Sequence, residues 1–183
     1  WRSERPARRP PRTSCSPGTV IPLPLPAKNR QNRRMTIDRS TPPLNSLFQE
    51  LILEHYKRPR NKGQLADPDV SVHMKNPTCG DEVHLQLRLK DGVIEDAKFV
   101  GEGCSISQSS ISMMTQLVKG KSVADALELA ERFTAMMHGD AEAARDRSMG
   151  DLRSLAGVAK FPVRVKCALL GWNALEEGVR QEK

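Results

Sequence analysis

Three cysteines and one aspartate are the residues of this 183-residue chain whose types and spacing could do metal and sulfur chemistry. Cys79 and Asp81 flank Gly80, so in a turning segment both side chains can point at one centre. Cys104 and Cys167 are distant thiols that could close the site. Thiolates with one carboxylate form an S₃O donor set of the kind that zinc accepts. The pattern predicts one shared metal centre, and the alternative is three buried free cysteines.

The elements that must position these residues follow from hydrophobic periodicity and turn signals. They are a helix over 44–57, strands over 70–74, 83–90 and 93–100, a helix past Cys104 ending before Gly120, a helix capped by Ser122, a short helix over 149–158 and a last helix after Pro162. A run of strands followed by a run of helices indicates an α+β fold. We predict a small three-stranded antiparallel meander packed against helices.

The dipeptide Asp91-Gly92 is a strong hairpin signal and also predicts where two candidate ligands lie. A hairpin centred there places residues near 81 opposite residues near 102, so Asp81 and Cys104 should be neighbours. Cys167 is predicted near the start of the last helix. Unpaired backbone N–H groups and the helix dipole at that position favour a thiolate.

Other chemistry-bearing residues are interpreted as structural. His55 is expected on the surface of the first helix, and His73, His84 and His138 have no ligand-like spacing to the cysteines. The serines after Cys104 are expected to cap the helix and to pack against the metal-binding loop. The two Met-Met pairs are expected to fill the core.

The positive charge of the chain is concentrated in its first 34 residues. The sequence has 29 Lys and Arg against 22 Asp and Glu, and residues 1–34 hold nine of the basic residues and one of the acidic. The remaining 20 basic and 21 acidic residues nearly cancel, so nucleic-acid binding is not predicted. Seven of the 13 prolines also lie in 1–34. We predict a disordered tail upstream of the true start at Met35, or a transit peptide as the alternative, followed by a single domain over 35–183.

Cysteine usage and hydropathy indicate a compartment. No window approaches the roughly 18 apolar residues that a membrane helix needs. Beyond Cys15 in the tail, the odd number of cysteines does not make a disulfide framework. A reducing, cytoplasmic setting is therefore predicted.

Four sequence blocks resemble the IscU/SufU family of iron–sulfur cluster assembly proteins, the NifU N-terminal-like family. They are EHYKRPRNKG at 54–63, NPTCGD at 76–81, GEGCSIS at 101–107 and RVKC at 164–167. The resemblance spans most of 44–180. Scaffold-type members carry a histidine where this chain has Lys166, and this chain has extra polar residues around 135–148. In both respects this chain is similar to the SufU-type branch of zinc-dependent sulfurtransferases.

The resemblance implies both a site and a partner. It implies that Cys79, Asp81, Cys104 and Cys167 bind Zn²⁺, that Cys79 is the catalytic sulfur acceptor, and that Arg164 helps to engage the partner. The implied partner is a PLP-dependent, SufS-type cysteine desulfurase that holds sulfur as a persulfide. Cys79 would accept that sulfur and relay it to a SufB/SufC/SufD-type assembly complex.

Two other functions remain open at this point. The first is a scaffold that assembles a transient [2Fe–2S] cluster on the same ligands, which Lys166 disfavours because it puts a cation where an imidazole ligand would be. The second is a zinc-stabilised adaptor that activates the desulfurase by binding alone and needs no free thiolate at Cys79. Whether the chain is an enzyme in its own right also stays open.

Overall fold

The computed structural model describes residues 44–181, with side chains from Ser46 onward. Its elements are α1 (Leu44–Lys57), β1 (Val70–Lys75), β2 (Glu82–Lys90), β3 (Val93–Glu102), α2 (Ser105–Val118), α3 (Val123–Met137), a 3₁₀ turn (Ala143–Arg145), a 3₁₀ segment (Arg147–Lys160) and α4 (Pro162–Gln181). The predicted α+β meander with helices is confirmed. The predicted tail and the predicted start at Met35 lie outside the described residues. None of the helices within 44–181 combines the length and the apolar composition that a bilayer span requires.

The sheet is antiparallel throughout, in the order β1-β2-β3. At the β2–β3 turn Asp91 has φ of 51° and Gly92 has φ of 75°, the positive values that a two-residue hairpin turn needs. One register shift after Arg88 inserts an extra residue in β3, and at the far end Glu82 faces Glu102. The predicted register is confirmed, and the end of β2 meets the end of β3.

The core lies between one face of this sheet and the helices. Leu85, Leu87 and Phe99 have no exposed surface, and α2 and α4 contact the strands that carry them. Phe133 of α3 stacks on Trp172 of α4 with ring centroids 5.0 Å apart. The predicted core role of the Met-Met pairs is also confirmed, because all four side chains are buried. The helices are thereby fixed on the sheet.

Two glycines of α4 let that helix approach its neighbours closely. A Cβ atom at Gly178 would lie 2.5 Å from Val70 Cγ1 of β1. A Cβ atom at Gly171 would lie 3.0 Å from Ile111 of α2. Because any side chain at these positions would push α4 outward, the glycines set its distance from the sheet. They thereby also position Cys167, which α4 carries.

His55 of α1 is a buried residue, and its predicted surface position was wrong. Its side chain is 3% exposed. The ring Nδ1 lies 2.9 Å from Ser112 Oγ, and that hydroxyl also accepts a hydrogen bond from the Arg60 N–H. The ring Nε2 lies 3.6 Å from Asp151 Oδ2. The Ser112 hydroxyl thus pairs with Nδ1, and the Asp151 carboxylate near Nε2 gives the buried ring a polar neighbour.

The short helix predicted over 149–158 is part of the 3₁₀ segment. That segment bends at Gly150, where φ is 48° and ψ is −125°. It begins after Asp146, whose carboxylate accepts a hydrogen bond from the Ser148 N–H and pairs with Arg132. The Ser148 hydrogen bonds, followed by the one from Arg132, lower the pKa of Asp146 to about 2. Buried Met149, Leu152, Leu155 and Val158 join this segment to the core, and the polar contacts of Asp146 fix its start.

Candidate metal centre

Cys79 lies in a tight turn that joins β1 to β2. The turn is closed by hydrogen bonds from the Asn76 N–H to the Asp81 carbonyl (2.8 Å) and from the Gly80 N–H to the Asn76 carbonyl (2.9 Å). Gly80 has φ of 73°, which glycine adopts without strain. This turn brings Cys79 and Asp81 to one side of the loop, as the sequence predicted.

Asp81 is a buried carboxylate with a free oxygen. It is 3% exposed, and its Oδ1 accepts a hydrogen bond from the Cys104 N–H at 3.1 Å. The other oxygen, Oδ2, is buried and has no hydrogen-bond partner among the described residues. Burial raises the pKa of Asp81, but interactions with Cys79, Ser107 and Cys104 outweigh it, so the pKa lies below its ordinary value. A buried anionic oxygen without a partner is costly unless a cation binds it.

Cys167 completes a group of three candidate ligands. Its Sγ lies 3.3 Å from Cys79 Sγ, and the ligand atoms of Cys79, Asp81 and Cys167 all lie within 4.8 Å of one another. Cys167 lies in the second turn of α4 and has no exposed surface. Burial, followed by contacts with Cys79 and Asp81, raises the pKa of the Cys167 thiol. The predicted position of Cys167 near the start of the last helix is confirmed, and the expectation that the helix dipole favours a thiolate there stays a prediction.

Cys104 lies beside this group, where its N–H donates to Asp81 Oδ1. It precedes the first residue of α2, and its Sγ lies 3.7 Å from Ser107 Oγ. A Cβ atom at Gly103 would lie 2.6 Å from Ser107 Oγ and 2.8 Å from Asp81 Cγ. Glycine at 103 is therefore what lets Asp81 approach the start of α2. The prediction that Asp81 and Cys104 are neighbours is confirmed. The role of Cys104 as a ligand stays a prediction.

Arg164 is exposed on α4, near the candidate ligands. The negative charge of Cys104, followed by hydrogen bonds to Cys167 and Cys104, raises the pKa of the Arg164 guanidinium. The guanidinium is thus near enough to both thiols to interact with them. Engagement of a partner by Arg164 stays a prediction.

Asn76 is a residue of the centre that the sequence reasoning missed. It is 6% exposed, its Oδ1 accepts a hydrogen bond from the Thr78 N–H at 3.0 Å, and its Nδ2 lies 4.0 Å from Cys167 Sγ. Asparagine before proline is a turn signal and could have indicated the first contact. The contact with Cys167 depends on how α4 docks, which no local pattern shows.

The donor set fits a soft-ligand metal ion. Two sulfur atoms and one carboxylate oxygen converge, and the orphaned Asp81 Oδ2 supplies a buried negative atom that needs a cation. Zinc accepts thiolate and carboxylate ligands together. Cys79, Asp81 and Cys167 are the residues that would hold such an ion, with Cys104 as the fourth candidate.

Comparisons with known proteins agree with this geometry. The model of the NifU-like N-terminal domain matches residues 47–168. The chain is 51% identical over 140 residues to the zinc-dependent sulfurtransferase SufU of Bacillus subtilis, covering 76% of this chain and 94% of that protein. It is 46% identical over 138 residues to the iron–sulfur cluster assembly scaffold protein IscU of Streptococcus pyogenes, covering 75% and 86% of the two chains.

A solved structure is similar over the same region. It is described as an iron–sulfur cluster assembly scaffold protein for the SUF system from Fervidobacterium islandicum. The TM-score is 0.66 at 34% identity, and the match covers 71% of this chain and 94% of that one. The chain therefore belongs to the family of NifU-like N-terminal domains, which includes the IscU and SufU proteins.

Proposed function

We propose that this chain is a zinc-dependent sulfur-transfer protein of iron–sulfur cluster assembly. The observation that carries the proposal is the convergence of Cys79, Asp81 and Cys167 with a buried, unpartnered Asp81 oxygen. The likeness to the Bacillus subtilis sulfurtransferase SufU supports zinc as the ion and sulfur as the cargo. Zinc bound there would keep its sulfur ligands as thiolates and would lower their nucleophilicity.

Cys79 is the sulfur acceptor in this proposal. It lies in the turn and is partly exposed, whereas Cys167 has no exposed surface. The Cys79 thiolate attacks the outer sulfur of a persulfide on the donor enzyme. A new S–S bond forms on Cys79, the donor S–S bond breaks, and the donor cysteine leaves as a thiolate. The step has no net oxidation, and the resulting Cys79 persulfide can pass its outer sulfur to a further thiolate by the same exchange.

The surface beside the centre supports docking of the donor, a PLP-dependent cysteine desulfurase. Phe161 is 61% exposed and Val163 is 56% exposed at the start of α4, next to the Arg164 guanidinium. Exposed apolar side chains beside an arginine are typical of the centre of a protein interface. We infer that this segment contacts the desulfurase, and that a SufB/SufC/SufD-type complex takes the sulfur afterwards.

A scaffold that assembles a [2Fe–2S] cluster is the second candidate. The likeness to proteins that are described as iron–sulfur cluster assembly scaffold proteins favours it. Lys166 argues against it, because an exposed ammonium group stands beside Cys167 where scaffold members have an imidazole. A lysine offers no metal ligand while it is protonated.

One paired measurement tests the proposal. Metal and acid-labile sulfide are measured in protein purified without added iron, and L-cysteine turnover by the desulfurase is measured with and without the chain. We expect about one zinc per chain, no labile sulfide and faster turnover. Iron with labile sulfide and no change in turnover would support the scaffold instead.

Asp81→Ala is expected to weaken zinc retention while the fold is kept. The change removes the carboxylate oxygens and leaves the Cys104 N–H unpaired, which should cost about 1–3 kcal/mol of stability. Zinc remaining after dialysis against a chelator is the measurement, and circular dichroism reports the fold. Asp81→Asn is the control, because an amide can still accept the Cys104 hydrogen bond. If Asp81→Ala retains as much zinc as the wild type, Asp81 is not a ligand.

A further inference from the structure

A second cluster of metal-ligating side chains lies on the solvent side of the sheet, away from the core. Along β1 buried and exposed residues alternate, so His73 faces solvent while Val72 is buried. His84 of β2 is the direct antiparallel partner of His73, and the two ring centroids lie 6.1 Å apart. Glu82 and Glu102 share this face. We refer to His73, His84, Glu82 and Glu102 as the histidine face.

The carboxylates of the histidine face create a place for a cation. Glu82 and Glu102 are direct cross-strand partners, and like charges in that relation destabilise a sheet. Lys75 relieves this in part, because its Nζ lies 2.8 Å from Glu82 Oε2. Glu82 Oε2 also lies 3.7 Å from His73 Nε2. The Lys75 side chain is 65% exposed, so another cation can replace it.

The histidine face has room for an ion and its water ligands. An open depression of about 590 Å³ lies over it, lined by all four of its residues and by Lys62. Facing Cβ atoms on antiparallel strands lie about 4.5–5.5 Å apart, and a zinc–imidazole bond is about 2.0–2.1 Å long. Two imidazoles on facing positions can therefore reach one ion by side-chain rotation. Ser71 Oγ lies 2.8 Å from His84 Nε2 and can orient that ring.

We propose that His73, His84 and Glu82 form a second transition-metal site, which takes a divalent ion such as Zn²⁺ or Ni²⁺. Two imidazoles and a carboxylate suit ions of this class. The ion displaces Lys75 from Glu82, and water completes its coordination in the depression. Because the ligands are exposed or half-buried and include no thiolate, this site binds more weakly than the cysteine centre and independently of it.

Four histidines in the whole sequence make a direct test possible. Tag-free protein is first given only enough Zn²⁺ to fill the tighter cysteine centre and is then titrated with Ni²⁺ alone, while the histidine ring signals are followed by NMR. Paramagnetic Ni²⁺ broadens the rings that it contacts. We expect His73 and His84 to broaden together and to saturate. Buried His55 and exposed His138 should stay sharp.

Single substitutions distinguish a specific Ni²⁺ site from adventitious binding. His73→Ala and His84→Ala should each weaken Ni²⁺ binding by roughly tenfold or more, because each loses a ligand. His138→Ala, an exposed histidine at the end of α3, is the matched control and should change nothing. Lys75→Met should strengthen binding several-fold, since it removes the cation that competes for Glu82.

Two outcomes would overturn this site. The first is broadening of His138 in parallel with His73 and His84 and without saturation, which would show adventitious surface binding. The second is Ni²⁺ affinity that the His73, His84 and Lys75 substitutions leave unchanged. All three side chains point to solvent, so circular dichroism should show folded variants in every case.

Discussion

Cys79→Ala is expected to abolish the increase in L-cysteine turnover that the chain gives to its cysteine desulfurase. The substitution removes the thiolate that accepts sulfur in the proposed transfer. Cys167 cannot take its place, because that side chain has no exposed surface. Turnover should fall to the rate of the desulfurase alone when a small thiol serves as the final acceptor. Mass spectrometry should detect one added sulfur atom on wild-type Cys79 and none on the variant.

A substitution at the neighbouring Thr78 tests whether any change in this turn has the same effect. Thr78 is exposed and adjoins Cys79 in the same turn. Thr78→Ala should keep both the rate increase and the added sulfur. Zinc content is measured in the same samples, because loss of Cys79 also removes a candidate ligand. Stimulation by Cys79→Ala equal to that of the wild type would replace the sulfur relay with a non-catalytic adaptor.

Gly101→Ala is expected to have the largest effect on stability. Gly101 faces Val83 near the end of the hairpin and has φ of 156°, a value that other residues rarely adopt. A Cβ atom there would lie 2.3 Å from the Glu82 carbonyl oxygen. The clash is with backbone, so β2 and β3 must separate where they carry Asp81 and Cys104. We expect a loss of about 3 kcal/mol or more, measured by urea unfolding.

Substitutions at two further glycines separate the effect of the contact with Glu82 from that of backbone strain. Gly157→Ala meets nothing within 4 Å and needs no positive φ, so it should be close to neutral. Gly120→Ala also meets nothing but sits at φ of 79°, so it reports the backbone strain alone. If Gly101→Ala were no less stable than Gly120→Ala, contact with Glu82 would not explain the requirement for glycine.

The hairpin and half of the centre could be predicted because their determinants are local. Asp91-Gly92 sets the turn, the alternation of β2 sets its faces, and together they place Asp81 beside Cys104. The extra residue in β3 shifts the pairing by only one position, so the prediction survives it. A single short turn likewise sufficed to predict that Cys79 and Asp81 share one side.

The prediction that was wrong concerns contacts between distant helices and strands. His55 is buried beside Ser112, which pairs with its Nδ1, and Asp151, and both residues come from elsewhere in the chain. The spacing of residues within one helix or strand cannot indicate such distant partners. The same limit explains why Asn76 was missed.

The two halves of the centre also differ in the length of chain that must close to form them. Asp81 and Cys104 are 23 residues apart, whereas Cys79 and Cys167 are 88 apart. Closing the longer loop costs roughly 1 kcal/mol more in chain entropy. During folding the hairpin half can therefore assemble first, and the sulfur pair waits until α4 docks. Partly folded chains hold two incomplete half-sites, so tight metal capture is delayed until the fold is complete.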